Sequence, residues 1–224
     1  HADLDRVRRL PRDILRNPLF DSYAAEGRWI SSYDAPVSVN GLVETPEFKI
    51  PQRSAHRMRY FIRQIAERKW QGAYGMLPWG KLGREICGFD IAALAEWSWN
   101  LEGRTEREFA EAWAVHEGFD NPEAVGEWSD LMGPVEADVY DSDFPTCYSW
   151  GKALQMVKNR QRPVLGEGMF RYYAAPNDFD HKAAQCERAL EIAQKAGNAE
   201  LANESRITLS YVRLAKQVYL VAEQ

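Results

Sequence analysis

Patterns typical of β-strands occur only in the first ninety residues, and this asymmetry constrains the fold more than any other feature of the chain. Two stretches there, residues 29–37 and 72–77, are rich in aromatic and uncharged residues and are bounded by turn-forming residues, as strands are. After residue 88 the sequence is a succession of helical patterns. The chain therefore predicts a short α/β part followed by a long helical region.

A helix separates the two predicted strands. Ser54 is a suitable N-cap, and the residues after it carry an apolar face at helical spacing. Strand, helix and strand in this order form the unit of parallel α/β folds. Too few such units fit before residue 90 to close an eight-stranded barrel. The apolar positions of this helix are Met58, Phe61, Ile62, Ile65 and Ala66.

The helical region contains clear start and stop signals. Thr105 with Glu108 three residues later forms a capping box, and Asn121 followed by Pro122 opens another helix. Gly197 separates two helices that we expect to form a hairpin at the end of the chain. The predicted helices are 89–99, 106–116, one beginning at 122, 149–159, 180–196 and 199–222.

Composition excludes several classes of function. The net charge is −5 with no block of like charges, so we expect no nucleic-acid partner. No apolar run is long enough to span a bilayer. Cys87, Cys147 and Cys186 have no C-x-x-C spacing, which predicts free thiols rather than a zinc site.

No motif for a metal or a cofactor is present, and we expect neither. The acidic residues Asp138, Asp141 and Asp143 lack the glycine and the distant glutamate of a calcium-binding loop, so they predict a capped helix start or a turn. The four histidines make no pair at helical spacing.

Aromatic residues are abundant, with eight Trp and ten Tyr, and several lie at the two predicted strands. Trp29, Tyr33 and Asp34 belong to the first strand, and Tyr74 and Trp79 to the second. Side chains at the carboxyl ends of parallel strands converge on ligands. A carboxylate beside flat aromatic rings suits a sugar, since the ring stacks while the acid accepts from hydroxyls. Core filling by these aromatic residues is the alternative.

The stretches GAYGMLPWG at 72–80 and AALAEWSWN at 92–100 resemble the last barrel strand and the closing helix of family 20 glycoside hydrolases, the β-N-acetylhexosaminidases. In that family a Trp at the position of Trp79 walls the sugar pocket. The resemblance implies that residues 1–104 are the C-terminal portion, with the last strands and helices, of a (β/α)8 barrel. Residues 105–224 would then be a helical, bundle-like C-terminal domain.

The resemblance also has departures. Lys81 stands where the family commonly has a Glu that binds sugar hydroxyls, so Lys81 becomes a candidate for substrate binding and for selection of an acidic sugar. The catalytic Asp-Glu dipeptide of the family is absent from these residues. We therefore expect a fragment of a carbohydrate-active hydrolase, acting on amino-sugar glycosides, whose catalytic acid lies upstream in the same polypeptide. The family resemblance implies a secreted or periplasmic protein.

Two other hypotheses remain open. The chain could be a non-catalytic module that binds carbohydrate or a protein partner through its helices. It could also be an independent enzyme that pairs Asp34 with Glu44 or Glu47 as its two carboxylates. Glu96, which lies inside the predicted helix 89–99, is interpreted as structural rather than catalytic.

Overall fold

A computed structural model describes residues 18–32, 53–73, 81–142 and 154–223, and the protein is mostly helical over these ranges. A short helical stretch at 154–158 and a 3-10 turn at Gly168–Phe170 supplement the longer elements. In chain order these are α1 Pro18–Ala25, β1 Ser31–Ser32, α2 Ala55–Glu67, β2 Gly72–Ala73, α3 Lys81–Trp99, α4 Glu106–Glu117, α5 Pro122–Asp141, α6 Asp178–Lys195 and α7 Ala199–Glu223.

The expected barrel portion is wrong for the described part of the chain. The strands β1 and β2 do pair in parallel, with Ser31 opposite Gly72, but each is only two residues long. No further strand joins them within the described ranges. A barrel closes through eight tilted strands whose side chains fill its interior. Here the apolar surface is buried between helices instead, which makes the fold mostly α.

The first hydrophobic core lies between α2, α3 and the start of α4. Phe61 of α2 and Phe89 and Trp97 of α3 are almost fully buried in it. Phe89 meets Phe109 of α4 edge to face, with ring centroids 5.2 Å apart. Each such aromatic side chain contributes about 1.5–3 kcal/mol through burial. Because Phe109 belongs to this core, the core is continuous across the predicted boundary between residues 104 and 105.

The second core has α5 at its centre, packed against α4, α6 and α7. Trp128 of α5 is buried, and its indole Nε1 donates to Ser205 Oγ of α7 at 2.8 Å. The hairpin of α6 and α7 is confirmed. Cys186 and Ala193 of α6 are buried in this core, whereas Ala184 is exposed.

The predicted helix signals are confirmed where the structure describes them. Ser54 Oγ accepts from the backbone N–H of Arg57, and Thr105 and Glu108 form the complete capping box. Asn121 Oδ1 accepts from the N–H of Ala124 at the start of α5. The predicted helix 89–99 begins earlier than expected, because α3 starts at Lys81.

Candidate functional site

The structure describes only two of the predicted site residues, Trp29 and Lys81. Trp29 is solvent-exposed, at 69%, and precedes β1, so it lies at the amino end of that strand rather than at its carboxyl end. Its indole lies against Gly72, where a Cβ would meet Trp29 Cζ2 at 3.5 Å. Lys81 is the first residue of α3. The other predicted residues, Tyr33, Asp34, Tyr74 and Trp79, lie outside the described residues, as do Glu44 and Glu47.

Glu96 lies on α3, and its carboxylate is occupied by an ion pair. Arg104 Nη1 donates to both of its oxygens, at 3.0 and 2.9 Å. Because Arg104 lies in the connection that follows α3, this pair holds the connection to its helix. The contact agrees with the structural interpretation of Glu96.

A cleft of about 440 Å³ opens where two helix–helix connections lie side by side. One connection joins α4 to α5, and the other joins α6 to α7. Aromatic, carboxylate and amide side chains line it together, which is the mixture found in small-molecule sites. The lining includes Arg53, Trp113, Phe119, Asp120, Asn121, Asn198 and Glu200.

The two connections have the same local design. Each helix before the cleft is followed by a glycine in the left-handed region, Gly118 with φ +77° and Gly197 with φ +69°. Each helix after the cleft is capped by an asparagine, since Asn121 Oδ1 accepts from Ala124 and Asn198 Oδ1 accepts from Leu201. The cap uses only the amide oxygen. The side-chain nitrogens of both asparagines donate to no other residue in the described part of the chain.

Arg53 forms the charged floor of this cleft. Its guanidinium donates to Glu204 Oε2 at 2.8 Å and also to Glu200, and it lies over the ring of Trp113 with 5.3 Å to the centroid. Burial acts to lower the pKa of Arg53, but the carboxylates of Glu204 and Glu200 outweigh burial and raise it. One face of Trp113 is therefore covered by a fixed cation.

Three buried carboxyl groups surround Arg53 without lining the cleft. Glu136 of α5 accepts from the backbone N–H of Arg53 at 2.9 Å, and Asp90 of α3 accepts from the N–H of Ser54 at 3.2 Å. Burial raises the pKa of Asp90 and of Glu136 well above the ordinary carboxyl value, and it also raises that of Glu204. Such shifted groups beside a cleft mark a candidate functional site.

The arrangement suits a neutral, hydroxyl-rich ligand. Asp120 and Glu117 offer oxygen acceptors, the two capping asparagines offer N–H donors, and Phe119 offers an apolar wall. The charge of Arg53 is already matched by carboxylates, so it is not available to a ligand anion. The cleft would therefore hold a ligand mainly through hydrogen bonds.

Sequence reasoning missed the residues of this cleft. They belong to two connections that are far apart in the chain and become neighbours only when α4, α5, α6 and α7 pack together. One signal in the sequence was available. At 118–122 and again at 197–199, a glycine is followed by an asparagine and then by a helix start, which marks the two connections that line the cleft.

The described residues contain no helix that is long and apolar enough to span a membrane. Within the same ranges, no group of three His, Cys, Asp or Glu side chains is placed to hold a metal ion. Asp138 was predicted at a capped helix start or in a turn, but it lies near the end of α5 and forms an ion pair with Lys182 of α6. No protein-family model, curated protein or solved structure matches the chain.

Proposed function

We propose that this chain is the carbohydrate-binding part of a carbohydrate-active hydrolase and that the sugar lies in the cleft between the α4–α5 and α6–α7 connections. The observation that carries the proposal is the combination of an aromatic wall with four hydrogen-bonding side chains, in a volume of about 440 Å³. Small-molecule sites typically occupy ~300–1,000 Å³. The sequence resemblance at 72–80 and 92–100 supports the same class of ligand.

The catalytic acid of such a hydrolase is proposed to lie upstream of these residues in the same polypeptide. Glu136, Glu204 and Asp90 have raised pKa values, but none of them lines the cleft. A general acid has to reach the glycosidic oxygen within hydrogen-bond distance. The described carboxyl groups of high pKa therefore serve binding or architecture in this proposal, and not proton transfer to a sugar.

A carbohydrate-binding module without turnover is the second candidate. It is favoured by the position of the carboxyl groups of raised pKa, since none of them lines the cleft. The two candidates differ in one measurable property. A panel of chromogenic N-acetylhexosaminides and uronides offered to the intact protein distinguishes them, since only the hydrolase releases the chromophore.

Binding itself is tested with the same sugars by the fluorescence of the tryptophans, with Gly88→Leu as the blocking variant. Gly88 lines the cleft, and a Cβ placed there meets no atom within 4 Å, so the side chain of a leucine begins in open space. We expect saturable binding to the natural chain and at least tenfold weaker binding to Gly88→Leu. Equal affinity of the two proteins would show that the sugar binds elsewhere.

Two isosteric variants test the proposed contacts. Asn121→Asp and Asn198→Asp keep the oxygen that caps each helix but remove the side-chain N–H donors of two residues that line the cleft. Each lost hydrogen bond should weaken binding roughly 2- to 10-fold, the equivalent of ~0.5–1.5 kcal/mol. Asn100→Asp is the matched control, because Asn100 Oδ1 accepts from the N–H of Glu102 outside the cleft.

A further inference from the structure

Two buried carboxyl groups meet at Arg53, and each has one oxygen that lacks a partner. Glu136 Oε2 accepts from the backbone N–H of Arg53, and Glu204 Oε2 accepts from its guanidinium. The second oxygen of each, Oε1, is buried and finds no other hydrogen-bond partner among the described residues. An unpaired buried carboxylate oxygen is costly, so the pair requires a proton between them.

We propose that Glu136 and Glu204 share one proton at neutral pH. The protonated pair together with Arg53, called the latch below, holds the segment leading into α2 against helices α5 and α7 in a pH-sensitive way. With the proton present, Glu136 is a neutral acid whose hydroxyl donates to Glu204. When it is lost to solvent, two carboxylates face each other in a buried site, and their repulsion loosens the contact.

The geometry also identifies which carboxyl group holds the proton. Glu204 faces the positive guanidinium of Arg53 at 2.8 Å, which favours its ionised form. Glu136 faces only the neutral backbone N–H of the same residue, at 2.9 Å. Burial, followed by the negative charge of Glu204, raises the pKa of Glu136 well above the ordinary carboxyl value.

Charged and ionisable groups from every packed element face this pair. Besides Arg53, α7 contributes Glu200, α3 contributes Asp90, and α6 contributes the thiol of Cys186. Further cations act on its neighbours: Arg57 of α2 acts on Asp90, and Lys182 of α6 acts on Cys186. Acidic groups therefore outnumber cations, which makes a second ionisation costly. His56 and Asp130 form a separate pair on the same α2–α5 contact, 3.6 Å apart.

The sign of the pH dependence follows from the raised pKa. The latch makes its full contribution to stability below the pKa that a Glu has in the unfolded chain, about 4.3. Its contribution to stability falls as the pH rises towards the folded pKa of Glu136, because the folded state holds a proton that the unfolded state has lost. One such proton makes the unfolding equilibrium constant rise about tenfold per pH unit in this window.

The test is urea unfolding of the chain between mildly acidic and mildly alkaline pH, without any sugar, so its outcome is independent of the proposed function. Glu136→Gln keeps an acceptor for the Arg53 N–H and supplies a permanent donor to Glu204. We expect this variant to lose the slope that one proton causes and to be more stable than the natural chain at alkaline pH. A wild-type slope in Glu136→Gln would overturn the proposal.

Further variants separate the latch from its surroundings. Glu204→Gln should be destabilised at every pH, since it removes the anion that faces the guanidinium. Asp90→Asn should change only the part of the slope that belongs to Asp90. Glu127→Gln is the matched control on α5, because Glu127 forms a surface pair with Arg188 at 3.5 Å and its side chain is 44% exposed. The slope of this control should equal that of the natural chain.

Infrared spectroscopy provides a second measurement, and its first readout uses only the natural chain. A buried neutral carboxylic acid absorbs at a frequency distinct from that of a carboxylate. The natural chain at neutral pH should show this band, and the band should weaken in Glu136→Gln and remain in Glu127→Gln. Absence of the band from the natural chain would refute the shared proton.

Discussion

The backbone N–H of Arg53 donates to Glu136 Oε2 at 2.9 Å across 83 positions of sequence. Through this bond the residue just before α2 is held by the middle of α5. The guanidinium of the same arginine reaches α7, where it pairs with Glu204, 151 positions away. Arg53 therefore joins the two main cores, and it also forms the floor of the candidate cleft.

Removal of this arginine should be among the most damaging single substitutions. Arg53→Ala leaves the buried carboxylate of Glu204 without its partner, and breaking a buried ion pair costs ~3–5 kcal/mol. Urea unfolding measures the loss. Arg107→Ala is the control, since Arg107 forms an exposed pair with Glu111 on α4 and should cost no more than about 0.5 kcal/mol. Equal effects of the two variants would contradict the structural role of Arg53.

The hydrogen bond from Trp128 to Ser205 should be a measurable part of the second core. Ser205→Ala leaves the buried indole N–H of Trp128 without an acceptor and should cost ~1–3 kcal/mol in the free energy of unfolding. Ser210 is the matched control on the same helix, because its hydroxyl is exposed and donates to Arg206 O. We expect Ser210→Ala to change stability by less than about 0.5 kcal/mol.

Backbone conformation predicts that alanine substitution has opposite effects on stability at two glycines that line the cleft. Gly118 ends α4 with φ +77°, a region in which an alanine is strained by ~1–2 kcal/mol. Gly88 lies inside α3 with open space at its Cβ position, so Gly88→Ala should stabilise the chain by ~0.5–1 kcal/mol through helix propensity. Thermal unfolding of both variants checks the signs. Stabilisation by Gly118→Ala would show that this turn is conformationally free.

The thiol of Cys186 should resist alkylation in the folded protein. Burial raises its pKa to about 12, so at pH 8 the reactive thiolate is roughly a thousandfold rarer than for a free cysteine of pKa ~8.5. Iodoacetamide labelling followed by mass spectrometry of peptides reports on Cys186 separately from Cys87 and Cys147. Labelling should become fast only in denaturant. Fast labelling of the native chain would mean that the α5–α6–α7 core opens readily.

Local signals in the sequence predicted the starts of the capped helices well, whereas α3 begins at Lys81, ahead of the predicted start at 89. Ser54, Thr105 and Asn121 all cap helices as expected, because each cap is a contact between residues at most four positions apart. Such contacts depend on residue type and spacing and require no knowledge of the distant chain.

The strand patterns were less informative. They predicted strands at residues 29–37 and 72–77. Within these stretches Ser31–Ser32 and Gly72–Ala73 do pair in parallel. Two pairs of residues, however, do not make the expected barrel. An aromatic, uncharged stretch is compatible with any buried surface. Trp97 and Trp128 illustrate this, since both bury their rings between helices.

The candidate site depended on packing alone. Glu136 lies inside a long amphipathic helix, where a glutamate normally marks the solvent face. It is buried because α2 and α7 both close over α5, and its partner Arg53 comes from a segment 83 positions earlier. Residue type and spacing thus defined where the capped helices begin. The cleft, the buried carboxyl pair and their shifted pKa values arise from long-range packing, because burial and charge proximity are properties of the folded chain.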